Sequence, residues 1–106
     1  MVGEEQEPSE QALLIQLNGT DLEDSVYEQY DLDGLEKVIT AALGRAGEWD
    51  GTETGPAETT VFLYGRDAEQ MFAKIESVIR DYPLCKHARV VVRKGGPGAV
   101  QREVQL

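Results

Sequence analysis

Apolar and polar positions along the chain repeat with two periods, about 2 and about 3.6, and the switches fall at glycines and prolines. The clearest switch lies in Thr59 to Pro83, TTVFLYGRDAEQMFAKIESVIRDYP. Thr59 to Tyr64 is β-branched and aromatic, which predicts a strand, and Gly65 supplies the bend. Asp67 then stands where a helix N-cap belongs, with Gln70 three residues on, a capping box worth about 1 kcal/mol. Met71, Phe72, Ile75, Val78, Ile79 and Tyr82 follow at helical spacing, and Pro83 forbids continuation.

Upstream, Ala12 to Leu17 predicts a strand with Leu13, Ile15 and Leu17 on one face. Asn18 to Tyr30 is a long acidic connection with room for a helical turn around Val26 and Tyr30. A helix is expected from Asp33, capped with Glu36, its buried stripe formed by Leu35, Val38, Ile39, Ala42, Leu43 and Ala46. Of the two glycines beyond it, Gly47 is the expected C-cap rather than Gly44. Glu48 to Thr52 reads as a short edge strand followed by an exposed loop. Past Pro83, Ala88 to Arg93 is a strand with Val90 and Val92 inward. Lys94 to Ala99 is a hairpin-like loop, and Val100 to Leu106 a last strand.

The resulting order is β-α-β-β-α-β with an added C-terminal strand. Two right-handed crossovers of this kind predict a ferredoxin-like α+β fold, both helices on one face of an antiparallel sheet. Strands one and three are the most apolar, as the central pair should be. Residues 1–10 are polar and acidic and read as a disordered tail, leaving 11–106 as one α+β domain.

Composition alters this picture little; charge alters it more. The apolar fraction of 41% and charged fraction of 28% are ordinary for a soluble protein. No apolar run approaches the ~20 residues of a membrane-spanning helix, and MVGEEQEPSE has no secretory signature. A single cysteine, Cys85, suits a reducing cytoplasm. Net charge is −10, and Met1 to Gly34 carries all of it: ten acids and no Lys or Arg. Such a chain is repelled by phosphate backbones, so nucleic acid is not an expected partner.

Nothing in the motifs points to catalysis. Cys85 and His87 offer two soft ligands where a structural zinc site needs four. Setting Gly34 at the sixth position of a calcium loop puts Gln29 first and Thr40 twelfth, where carboxylates are required. Phosphate-binding and nucleophile-elbow signatures are absent, and no cofactor is implied. Glu48 and Asp50 share a strand face beside Trp49, which leaves one enzymatic alternative: a small-molecule or metal-dependent pocket near the acidic loop, Glu48, Trp49 and Asp50.

The sheet face away from the helices is more suggestive. If Leu13, Ile15, Val61, Leu63, Val90 and Val92 point to the helices, then Leu14, Phe62, Tyr64 and Val91 point away, bordered by Arg89 and Arg93. A face so apolar calls for a cover: a second copy of the chain is the first expectation, and the C-terminal strand or N-terminal tail folding over it, or a ligand, are the alternatives.

The segment from Phe62 to Gly98, with Gly47 to Gly51 upstream, resembles a family of small uncharacterised bacterial proteins. The shared pattern is Gly-Glu-aromatic-Asp-Gly, then aromatic-Tyr-Gly-x-Asp-Ala leading a helix, then Pro-Leu, then Arg-x-Gly. Here these are Gly47 to Gly51, Phe62 to Ala68, Pro83-Leu84 and Arg93-Lys94-Gly95, the inserted Lys94 being a departure. The likeness covers roughly the C-terminal 60 residues. It implies bacterial origin and a compact α+β fold, and it carries over no catalytic residue.

The functional expectation is a non-enzymatic protein-interaction domain. Its partner-binding candidates are Asp21, Glu23, Asp24 and Glu28 in the acidic third, and Phe62 and Tyr64 on the sheet. An acidic inhibitor or immunity-type protein that blocks a basic partner is the sub-case favoured by the charge.

Overall fold

The computed structural model describes residues 11–18, 22, 24–55, 58–95 and 98–106. The tail 1–10 and two of the acidic candidates, Asp21 and Glu23, lie outside them. In chain order the elements are β1 (Gln11–Asn18), α1 (Asp24–Gln29), α2 (Leu32–Leu43), β2 (Gly47–Thr54), β3 (Glu58–Gly65), α3 (Ala68–Asp81), a 3-10 turn (Pro83–Cys85), β4 (Arg89–Arg93) and β5 (Gln101–Gln105). The fold is α+β: one five-stranded sheet ordered β2-β3-β1-β4-β5, every neighbouring pair antiparallel, with three helices. The C-terminal strand pairs with β4 and so displaces it from the sheet edge.

Strand alternation divides the sheet into two unlike faces. Leu13, Ile15, Leu17, Val61, Leu63, Val90 and Val92 form one core with α2 and α3. Those helices contribute Leu35, Ile39 and Leu43, and Met71, Phe72, Ile75 and Ile79. At one end of this layer the Tyr30 and Tyr82 rings meet edge to face, their centroids 5.4 Å apart.

Both long helices are capped at the N-terminus by an aspartate, and one cap differs from expectation. Asp67 accepts a hydrogen bond from the Gln70 amide at 3.1 Å, as predicted. The cap of α2 is Asp31, not Asp33: its Oδ1 accepts from the Gly34 amide at 2.8 Å. A glycine has no side chain with which to complete a capping box, so the box pattern points two residues downstream of the true start. The far end is corrected as well. Gly44 is the C-cap, with φ of +55°, and its amide donates to the Thr40 carbonyl at 3.2 Å.

Gly47 serves a different purpose. It lies opposite Gly65 in the β2–β3 ladder, and a Cβ at either position would collide with the Met71 sulfur and a neighbouring carbonyl. The two glycines let this corner of the sheet close under α3. β2 is accordingly longer than expected, beginning at Gly47 and running to Thr54. The acidic connection holds a short helix, α1, where a single turn was expected.

β5 is fastened from the helix side. Arg102 donates from Nε and Nη2 to the two Glu69 carboxylate oxygens, at 2.7 and 2.6 Å, and its guanidinium lies 5.7 Å from the centre of the Phe72 ring.

Candidate interaction surface

The face away from α2 and α3 follows residue by residue from the register. One row crosses the sheet from Glu48 on β2 through Tyr64 and Ala12 to Arg93 on β4 and Gln101 on β5. The next runs Gly51, Phe62, Leu14, Val91 and Glu103. A third runs Glu53, Thr60, Gln16, Arg89 and Gln105. Phe62 and Tyr64 therefore lie where the alternation predicted, on the side opposite the helices.

Their surroundings are apolar in the middle and charged at the flanks. Phe62, Tyr64 and Leu14 are half-buried, Val91 is 5% exposed, and Ala12 forms a fully covered floor between longer neighbours. On the β2 flank Glu48 and Glu53 are exposed. On the β4 flank stand Arg89 and Arg93. The Arg93 Nε donates to the Gly95 carbonyl at 3.0 Å, a bond that does not use its two terminal nitrogens. Arg89 reaches to within 4.0 Å of Glu58, both side chains close to half exposed. Beside this loose pair, the Gln16 Oε1 is buried without a hydrogen-bond partner, a cost of about 1–3 kcal/mol where it persists.

β2 carries a bulge between Trp49 and Gly51, so Asp50 is the extra residue in the ladder. Trp49 turns to the helix side opposite Leu63 and packs on the core, whereas Glu48 and Asp50 stay exposed. The Gly-Glu-aromatic-Asp-Gly segment thus has a structural account: close packing at Gly47, an anchor at Trp49 and a bulge at Asp50.

No family model, curated protein or solved structure matches the chain.

The remaining candidates are dispersed. Asp24 and Glu28 are exposed on α1, which has no basic residue in its last turn. Among the described residues no three His, Cys, Asp or Glu side chains converge on one point. Cys85 is buried, which pushes its thiol up to about 12, while His87 is exposed. They border one shallow concavity of about 550 Å³, together with Tyr82, Lys86 and Leu106. A second, of about 560 Å³, lies along the exposed flank of α2 at Asp33, Lys37 and Thr40. Neither involves Glu48, Trp49 or Asp50. No helix among the described residues is long and apolar enough to cross a membrane.

Sequence reasoning found the two aromatic rings but missed their flanks. It marked Arg89 and Arg93 as a border without the acids on the opposite edge. The β2 bulge hid those acids, because the shift in register decides which β2 carboxylates share a face with Phe62.

Proposed function

We propose that this chain is a non-enzymatic protein-interaction domain whose contact surface is the sheet face bearing Phe62 and Tyr64. One observation carries the reading: two half-buried aromatic rings and Leu14 stand together on the side that no long helix covers. Aromatic side chains on a rigid sheet bring large contact area at small entropic cost, which is why they dominate protein contacts. The strand order β4-β1-β3-β2, with α2 and α3 across one side, supports a ferredoxin-like unit to which β5 is an addition. A single buried cysteine is compatible with a cytoplasmic setting, and the pattern from Gly47 to Gly95 with a place in the bacterial family it resembles.

The test is photo-crosslinking in the native host, with benzoylphenylalanine placed at Tyr64 and, as a control, at Lys37 on the helix side. Adducts from position 64 and not from 37 carry the reading; no adduct from 64 sinks it.

A second surface is favoured by the exposed acids of α1 and the net charge of −10. Here a basic protein would be steered by the field of the N-terminal third, as an acidic inhibitor steers its target. Reversing Asp24 and Glu28 to lysine then slows association with that partner at low salt and leaves it unchanged at high salt. Equal rates for both forms at low salt would remove this reading.

A further inference from the structure

We infer that the occupant of the open sheet face is a second copy of this chain, related by a two-fold axis running along the strands between β1 and β3. The inference rests on that face being a contact surface and adds which molecule covers it and in what orientation.

The open face is complementary to itself. In a two-fold face-to-face contact the axis lies in the plane between the sheets. Running it along the strands between β1 and β3 places β3 over the partner's β1 and β2 over the partner's β4, with the rows kept in step. The pairings then follow from the register. Tyr64 lies over Ala12, large on small, and Phe62 over Leu14. Glu48 lies over Arg93 and Glu53 over Arg89, each pair occurring twice.

Two further details agree. The terminal nitrogens of Arg93, left over from its Nε bond to Gly95, are available to a carboxylate. Thr60 lies over Gln16, polar on polar. The other in-plane axis, across the strands, would set Arg93 over Arg89 and Glu48 over Glu53, like charge on like. The charges therefore choose between the two arrangements.

Size limits how tight the dimer is. Four strands of each copy overlap in this arrangement, with β5 outside it; at about 4.8 Å apart and about 3.4 Å rise per residue they give a flat area of roughly 400 Å² per copy. A total of roughly 800 Å² lies below the size of a stable specific interface, so the dimer is a weak one that should dissociate on dilution.

The test is sedimentation of the full chain from about 10 µM to about 1 mM, with its charge-swap variants. Glu48→Arg and Arg93→Glu should each weaken the dimer at least about tenfold, and the double variant should restore it to within about threefold. Both positions lie on the surface of the sheet, and circular dichroism checks that each variant stays folded. A chain that stays monomeric up to the top concentration overturns the inference, as does a double variant no better than the singles. Adduct mass in the crosslinking experiment separates this failure from that of the broader reading. An adduct of twice the chain mass supports the second copy; a different protein on a monomeric chain overturns the dimer alone, and no adduct overturns both.

Discussion

Arg102 and Glu69 are joined by two parallel hydrogen bonds, and this pair ties the last strand to the first turn of α3. Lys94 stands 4.0 Å from the same carboxylate. The Arg102 hydrogen bond is the main reason the Glu69 carboxyl is held below its usual range; burial opposes it as the next largest effect, and the charges of Arg102 and Lys94 add to the lowering. A carboxylate with a depressed folded-state pKa contributes stability above its unfolded pKa and loses it as pH falls through the folded value. Arg102→Ala should therefore raise hydrogen exchange in β5 at neutral pH, with little change in the global unfolding midpoint, because the pair is exposed. Wild type should approach the variant as pH is lowered past the carboxylate range. Unchanged β5 exchange in the variant would show that the backbone ladder to β4 alone holds the strand.

Gly34 sits inside α2, where alanine is ordinarily better by about 1 kcal/mol. Here the space is taken. A Cβ would lie 2.5 Å from the Tyr82 hydroxyl oxygen, and that hydroxyl donates to the Asp31 carbonyl at 3.0 Å. Gly34→Ala should therefore destabilise by about 1 kcal/mol, overpacking outweighing propensity. In a Tyr82→Phe background the nearest atoms left are the Asp31 Oδ1 at 3.2 Å and a ring carbon at 3.6 Å, and most of the penalty of the same substitution should disappear. Urea unfolding of the four proteins measures this, and equal effects of Gly34→Ala in both backgrounds would rule the contact out.

The capping aspartate next to that glycine shows where sequence reasoning reached its limit. Strands β1, β3 and β4 were legible because their alternating residues bury one full face, and a one-residue slip would expose all of it. α3 was legible down to its cap. The α2 start was missed because Asp31 and Asp33 are chemically equal candidates, and only the position of Gly34 under Tyr82 separates them. Gly47 was preferred to Gly44 as the cap, and wrongly: Gly44 takes the positive φ, while Gly47 answers to the Met71 sulfur beside it. On the open face the rings were readable from period two alone. Their charged neighbours depended on the bulge at Asp50, a long-range register feature with no local signal.

Cys85 is the one thiol, and burial pushes its pKa from 9.0 to about 12. The folded state thus keeps a proton that the unfolded chain releases above about pH 9. Raising pH through that window favours the unfolded form, with a slope of at most about 1.4 kcal/mol per pH unit for one group. Tyr82, also shifted upward, chiefly by burial, adds to the same trend at higher pH. The urea midpoint should fall between pH 8.5 and pH 10.5 more steeply than in Cys85→Ala, whose absolute stability is lower. Aromatic disulfide reagents should label the native protein slowly and the unfolded one at once. Parallel slopes in the two proteins, or prompt native labelling, would place the thiol in solvent.

Leu63 and Phe62 are adjacent on β3 and face opposite ways, so they separate folding from association. Leu63 is fully buried between the sheet and its helices, and Leu63→Ala removes packing from the middle of the core. It should cost about 2–5 kcal/mol, independent of protein concentration. Phe62 is half-buried on the open face, where its main neighbours are Leu14 and the Gly51 backbone. Phe62→Ala should cost a dilute chain much less, about 1 kcal/mol. Its effect should grow as concentration rises, because only the wild type then gains stability from association. Thermal melts at two concentrations a hundredfold apart distinguish the cases. A Phe62→Ala penalty as large as that of Leu63→Ala, and the same at both concentrations, would mean the ring belongs to the core rather than to a contact.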